Sequence, residues 1–278
     1  MKRYGVIDGE AAVSRDNGDL ERLRIHGFSV LSGILTADQL VECRQRLDLV
    51  YDAQIAEFGA DRLKAIQENN LARSLLSYDS FFLDFALKRD VVDLVHQAIG
   101  GGYVTLHLQN GIINRPDQEH HQSTWHRDLP YQEFVSSKPL AIGALFCVDD
   151  FTLETGCTHV LPFSHREEKF PTEAFVSKYE VPVEAPAGSV ILFDAMLFHR
   201  AGRNVSNRIR RGINHVYTIP IIKPQIEVST LPHVAARSKE DPWAGKILGV
   251  NQTVPLSVRE FRQRRFDRIP SIPLKKAV

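Results

Sequence analysis

The sequence predicts a mainly β protein, a sandwich or barrel of short strands buttressed by helices. Three observations lead there. Apolar residues recur at helical spacing up to Gly100. The period switches to two at residue 103. From there to residue 221, apolar runs of strand length follow one another between turn residues.

Taken in order, residues 1–18 are mixed and rich in Gly and Asp, and predict a loosely held arm. Residues 20–32 read as a short helix, a stop at Gly27 and a strand. Thr36 with Gln39 three residues on is a capping-box pattern. Leu40, Cys43, Leu47, Val50 and Tyr51 then mark one face of an amphipathic helix of about twenty residues, whose role is to support a sheet. Residues 59–80 are less regular. Residues 81–99 return to helical spacing through Phe82, Phe85, Val91, Val92 and Val95, closed by Gly100-Gly101-Gly102. From Tyr103, Val104, Leu106 and Leu108 alternate with Thr105, His107 and Gln109, and alternation sets Asn110, Ile112 and Asn114 on one face. Residues 139–148, 158–161, 181–184, 188–199 and 208–221 continue the strand series. Residues 257–268 read as a basic helix with a solvated face. No repeat or linker divides the chain. It reads as a single domain over 1–278: a helical part over 20–100, a β core over 103–222 and a C-terminal extension over 223–278.

Composition narrows the function classes. The chain has 278 residues, 43% hydrophobic and 24% charged, which is ordinary for a globular protein. Lys+Arg and Asp+Glu are both 34, so no net charge draws it to nucleic acid. Three cysteines, an odd number without metal-type spacing, read as reduced thiols. No apolar run follows Met1, and no stretch is long enough to span a membrane. The expectation is a cytoplasmic protein with no membrane or nucleic-acid partner and a small-molecule substrate. Oligomeric state is left open.

The chemistry centres on Trp125-His126-Arg127-Asp128. On an extended segment, His126 and Asp128 project to one side and can share a metal ion. A third ligand comes from the apolar run 188–199, read as one strand that delivers His199 at its far end. Two His and one carboxylate that leave positions open are the facial triad of non-haem Fe(II) oxygenases. His120-His121 is a weaker alternative, because neighbours on a strand point apart. His107, His159, His165 and His215 read as structural. Trp125 reads as packing beside the metal. Leu129, Gln132 and Phe134, just past the Asp, are placed to face a substrate.

Three stretches carry a family resemblance: Trp125 to Asp128; Gly156-Cys157-Thr158-His159-Val160-Leu161-Pro162-Phe163-Ser164-His165; and Gly188 onward to Arg210. On these the chain resembles the phytanoyl-CoA dioxygenase-like family of Fe(II)/2-oxoglutarate oxygenases, with Phe163 where Gly is usual. The resemblance implies a double-stranded β-helix, a jelly-roll barrel. It implies Fe(II), 2-oxoglutarate and O2, and hydroxylation of an unactivated C–H bond with release of succinate and CO2. Desaturation, epimerisation or cyclisation with the same cofactors is an alternative, as is a non-catalytic or metal-only cupin-type protein. Arg210, eleven residues after His199, matches the family's clamp for the distal carboxylate of 2-oxoglutarate. A guanidinium suits that role because its fork holds both oxygens. Arg208 is the backup by alternation, and Arg211 points away. Asn114 and Asn110 are the amides that relatives would use toward 2-oxoglutarate, and Asn70 and Arg73 lie where relatives build the substrate pocket. Related halogenases replace the carboxylate with Gly or Ala, so Asp128 disfavours halogenation. A small polar or natural-product-like metabolite is the expected substrate.

Overall fold

The structure is a computed structural model that describes residues 18–118, 121–129, 133–267 and 269. The expected N-terminal arm, His120 and Gln132 lie outside them. In chain order the elements are α1 (Gly18–His26), β1 (Phe28–Leu31), α2 (Ala37–Phe58), α3 (Ala60–Ala65), β2 (Leu71–Arg73), α4 (Leu75–Tyr78), α5 (Leu83–Ala86), α6 (Arg89–Ile99), β3 (Thr105–Asn114), β4 (Ala141–Cys147), β5 (Thr158–Val160), α7 (Glu173–Tyr179), β6 (Val181–Val183), β7 (Val190–Asp194), β8 (His199–Ala201), β9 (Arg210–Thr218), α8 (Pro232–Glu240), α9 (Pro242–Ile247) and α10 (Val258–Phe266).

The strands form two antiparallel sheets. One has six strands in the order β1-β7-β4-β9-β3-β2, the other three in the order β6-β5-β8. Isolated bridges, His126 with His199 and Phe151 with Ala185, widen the smaller sheet. This is the jelly-roll arrangement, and the alternation along each strand explains its layers. On β4 and β7, Leu145, Ile191 and Phe193 face the smaller sheet and pack with Val160 and Val183. Ala144, Phe146, Val190 and Leu192 face the other way, into the larger core under the helices.

α2 is the main buttress. Its capping box forms as expected: Gln39 N donates to Thr36 Oγ1 at 3.3 Å and Thr36 N to Gln39 Oε1 at 3.0 Å. Leu40, Cys43, Leu47, Val50 and Tyr51 are all buried. A charged seam ties it to the sheet, with Arg211 on Asp48 at 2.8 Å and on Asp149 at 3.1 Å, and Arg44 on Asp149 at 2.6 Å.

Two expectations are corrected. Residues 81–99 are not one helix. Asp79 accepts from Phe81 N at 2.9 Å to start a short turn, α5 stops at Ala86, and α6 begins at Arg89. The carbonyl of Ala86 is taken by the Tyr217 hydroxyl at 2.9 Å, so the helix end is satisfied by β9. Residues 188–199 are not one strand either. Met196 N donates to Asp194 Oδ1 at 2.9 Å, and Leu197 N to the Asp194 carbonyl at 2.8 Å. This side-chain turn bends the chain out of the large sheet at β7 and into the small one at β8.

Candidate metal centre

His126 and His199 face each other across the bridge between their strands. Their backbones exchange hydrogen bonds of 3.0 and 3.1 Å. Asp128 N donates to the Ala195 carbonyl at 3.0 Å, so the next pleat is pinned to the turn between β7 and β8. Antiparallel pairing therefore brings together residues far apart in sequence. One ligand atom from each of His126, Asp128 and His199 lies within 4.8 Å of the others. His199 Nε2 is 3.5 Å and His126 Nε2 3.9 Å from Asp128 Oδ1. Two ligands each about 2.1 Å from one ion are at most about 4.2 Å apart, so both spacings suit a shared cation.

The imidazoles are oriented for that role. His126 Nδ1 is 2.8 Å from the Thr124 carbonyl and His199 Nδ1 is 2.9 Å from the Leu197 carbonyl. A carbonyl only accepts, so each Nδ1 carries the proton and each Nε2 keeps its lone pair for a metal. Burial works to raise the Asp128 carboxyl. Hydrogen bonding and charge from His199, then His126, with the Asn214 hydrogen bond, outweigh burial and hold it below the usual carboxylate range. Asn214 Nδ2 donates to Asp128 Oδ2 at 3.3 Å.

Arg210 lies on the same wall. β9 alternates, so Arg210, Gly212 and Asn214 share the inner face, and Arg210 lines one pocket with His126, Asp128, His199 and Asn214. It is 2% exposed, and its Nε has no hydrogen-bond partner. Its guanidinium stacks 4.2 Å from the Phe151 ring centre, and among the described residues no carboxylate pairs with it. Burial pushes it down to about 10, so it stays charged at neutral pH. Arg208 is corrected: it is exposed in the turn before β9, where its carbonyl accepts from Asn204 Nδ2 at 2.7 Å. Arg211 points outward, as alternation requires.

The other sequence candidates scatter. Asn114 sits opposite Arg210 in the ladder, but its Nδ2 is spent on the Gly202 carbonyl at 3.0 Å. Asn110 accepts from Ser74 N at 3.2 Å and lines a separate small cavity with Arg73. Asn70 is a turn residue with φ 61°, bonded to Gln118 at 2.8 Å and Arg115 at 3.0 Å, away from the metal pocket. Arg73 pairs with Glu68 and reaches Gln225 at 3.0 Å. Phe134 does line a cleft that reaches Asp128. Leu129 is core, packed with Ala141, Ala195 and Val216. Trp125 packs against the cluster of Leu161, Val176 and Phe198, and its ring lies under Arg200.

Four more residues stand at the metal pocket or the adjoining cleft. Asn214 was findable, since it is two pleats on from Arg210. Gln122 and Thr158 line the metal pocket, Gln122 from the turn before His126 and Thr158 from β5, where it pairs with Ala201. His107 was read as structural, yet it lines the cleft beside Asp128. It stands at a β-bulge between Leu106 and Leu108.

Comparison with known proteins agrees with this geometry. The family model for phytanoyl-CoA dioxygenase (PhyH) matches residues 23–212. The uncharacterised protein Rv1501 of Mycobacterium tuberculosis is 30% identical over 250 residues, covering 87% of this chain and 90% of its own. The dioxygenase af480 of Aspergillus fumigatus is 26% identical, covering 73% and 66%. The epimerase SnoN of nogalamycin biosynthesis, solved with Fe3+, α-ketoglutarate (2-oxoglutarate) and nogalamycin RO, superposes with a TM-score of 0.55 at 20% identity, covering 77% of this chain and 89% of its own, and shows the same fold. No helix among the described residues is long and apolar enough to cross a membrane. The chain belongs to the phytanoyl-CoA dioxygenase (PhyH) family, and is an oxidoreductase that works with Fe(II), 2-oxoglutarate and dioxygen.

Proposed function

We propose that the protein hydroxylates an unactivated C–H bond of a small-molecule substrate, with 2-oxoglutarate converted to succinate and CO2. Arg210 carries this reading. A buried cation without an anionic partner is costly, and it stands in the pocket that holds the three metal-ligand side chains. A dicarboxylate that chelates a metal at one end would present its other carboxylate to that guanidinium.

His126 and His199 would hold Fe(II) through Nε2 and Asp128 through a carboxylate oxygen. When bound, the iron with its cosubstrate and dioxygen supplies an oxidising power that no side chain has. The Thr124 and Leu197 carbonyls keep the two imidazoles in the metal-binding tautomer. Asn214 holds the second oxygen of Asp128 and so orients the first. The free space between triad and Arg210 is about 30 Å³, room for about two waters. Gln122 and Arg200 also line this space and would lie beside a bound diacid.

A second reading keeps the cofactors and changes the outcome to epimerisation, desaturation or cyclisation. The likeness to SnoN, an epimerase, supports it. The fate of oxygen separates the two: hydroxylation carries one atom of labelled dioxygen into the product. The cosubstrate assignment is tested anaerobically. Metal-free protein given Fe(II) and 2-oxoglutarate should develop the visible charge-transfer band of a chelated 2-oxo acid. His126→Ala should lose it, and Arg210→Ala should need far more 2-oxoglutarate. A folded wild type without the band would overturn the proposal.

A further inference from the structure

Two cavities meet at Asp128. The first is the polar pocket of the triad and Arg210. The second is a cleft of about 980 Å³ walled by Phe134, Leu140, Ile221 and Ile222. That volume lies at the top of the range of about 300–1,000 Å³ for ligand pockets. One wall is the segment that follows β9. Ile219 N donates to the Leu140 carbonyl at 3.0 Å and Gln225 N to the His107 carbonyl at 3.0 Å, so residues 219–225 are strapped across the ends of β3 and β4.

Charge is sparse there. Among the described residues, Lys223 is the one charged side chain lining the cleft besides Asp128, and it stands exposed on the rim. His107 is 8% exposed, and its Nδ1 has no hydrogen-bond partner. The cleft thus offers an apolar wall, one cation at the edge, and His107 and Gln225 as polar side chains beside Asp128.

We propose that this cleft binds a large, mostly apolar substrate bearing a single anionic group, such as a long-chain or polycyclic carboxylate, that it rejects amino acids and sugars, and that a coenzyme A handle adds nothing to binding. The inference rests on the oxygenase reading for its chemistry, and on the cleft alone for its choice of ligand. Apolar surface placed against Leu140, Ile221 and Ile222 is removed from water, which favours binding in proportion to area. A sugar hydroxyl there would lose its water partners without replacement, at roughly tenfold in affinity for each. A coenzyme A handle brings several phosphate charges, and Lys223 can balance one. Of the two expected substrate kinds, small polar or natural-product-like, the cleft favours the second.

The probe is 8-anilinonaphthalene-1-sulfonate, an apolar aromatic monoanion, titrated by fluorescence into the full chain without metal. The competitors are laurate, lauroyl-CoA, proline and glucose. Laurate should displace the probe, proline and glucose should not, and lauroyl-CoA should gain nothing over laurate. Ile222→Asp should weaken probe and laurate binding by about tenfold or more, and Lys223→Glu should weaken laurate binding. Leu49→Asp, on the exposed face of α2, should leave both unchanged. Unchanged binding in Ile222→Asp, displacement by proline or glucose, or tighter binding of lauroyl-CoA than of laurate would overturn the inference. The charge-transfer band is measured separately. Loss of the band with intact laurate binding sinks the oxygenase reading; an intact band with unchanged binding in Ile222→Asp sinks the cleft assignment.

Discussion

Replacing Arg210 by methionine should make the protein more stable and a worse binder. Methionine keeps much of the length and apolar stem and removes the charge. Burial pushes the guanidinium down to about 10, a penalty of about 3 kcal/mol at 1.36 kcal/mol per pH unit. Stacking 4.2 Å from the Phe151 ring centre returns about 1–2 kcal/mol. The free protein should therefore gain about 1–2 kcal/mol, which for a chain of this size is a rise in Tm of about 2–3 °C. The opposite holds for the cosubstrate. Breaking a buried charge pair costs about 2–5 kcal/mol, so the Kd for 2-oxoglutarate should rise by about 30-fold to several thousand-fold. Thermal melts of metal-free protein report the first effect, and anaerobic titration of the charge-transfer band the second. A lower Tm together with an unchanged Kd would show that Arg210 serves the fold, and would refute the reasoning.

Asn214→Leu removes the donor to Asp128 Oδ2. Fe(II) affinity, measured by competition with a chelator, should fall about 10- to 100-fold while the melt changes little. Asp194 is pushed up to about 6 by burial, against the hydrogen bond from Met196 N and the charges of Arg166 and Arg127. Its folded form holds a proton more tightly than the unfolded chain, so stability falls as pH rises between about 4 and 6. Asp194→Asn should remove that slope, with a relative gain of up to about 3 kcal/mol at pH 7 over pH 4; equal Tm differences at both pH values would contradict it. Gly156 has φ +77°, and a Cβ there would lie 2.4 Å from the Gly202 carbonyl oxygen. Gly156→Ala should cost about 2–4 kcal/mol, read as a lower urea midpoint, because both strain and a backbone clash are added.

Much of this protein is local and so legible in its sequence. The Thr36 capping box, the apolar face of α2, the Gly100 stop and the alternation of β3 and β9 follow from spacing, because helix and strand periods are properties of neighbouring residues. The same logic set His126 and Asp128 on one side of a strand and turned Arg211 away from Arg210. Tertiary structure decided what depends on pairing between distant segments. Whether His199 meets His126 is a matter of β8 register, and β8 exists as a separate strand because Asp194 closes a turn that no apolar pattern reveals. Asn70, Arg73 and Arg208 carry suitable chemistry, yet neighbouring side chains hold the first two and solvent the third. His107 sits in a β-bulge between Leu106 and Leu108, which spacing alone does not reveal. The apolar cleft belongs wholly to the fold. Phe134 and Leu140 precede β4 and the strap at 219–225 follows β9, and only packing brings these two parts of the chain to one wall beside Asp128.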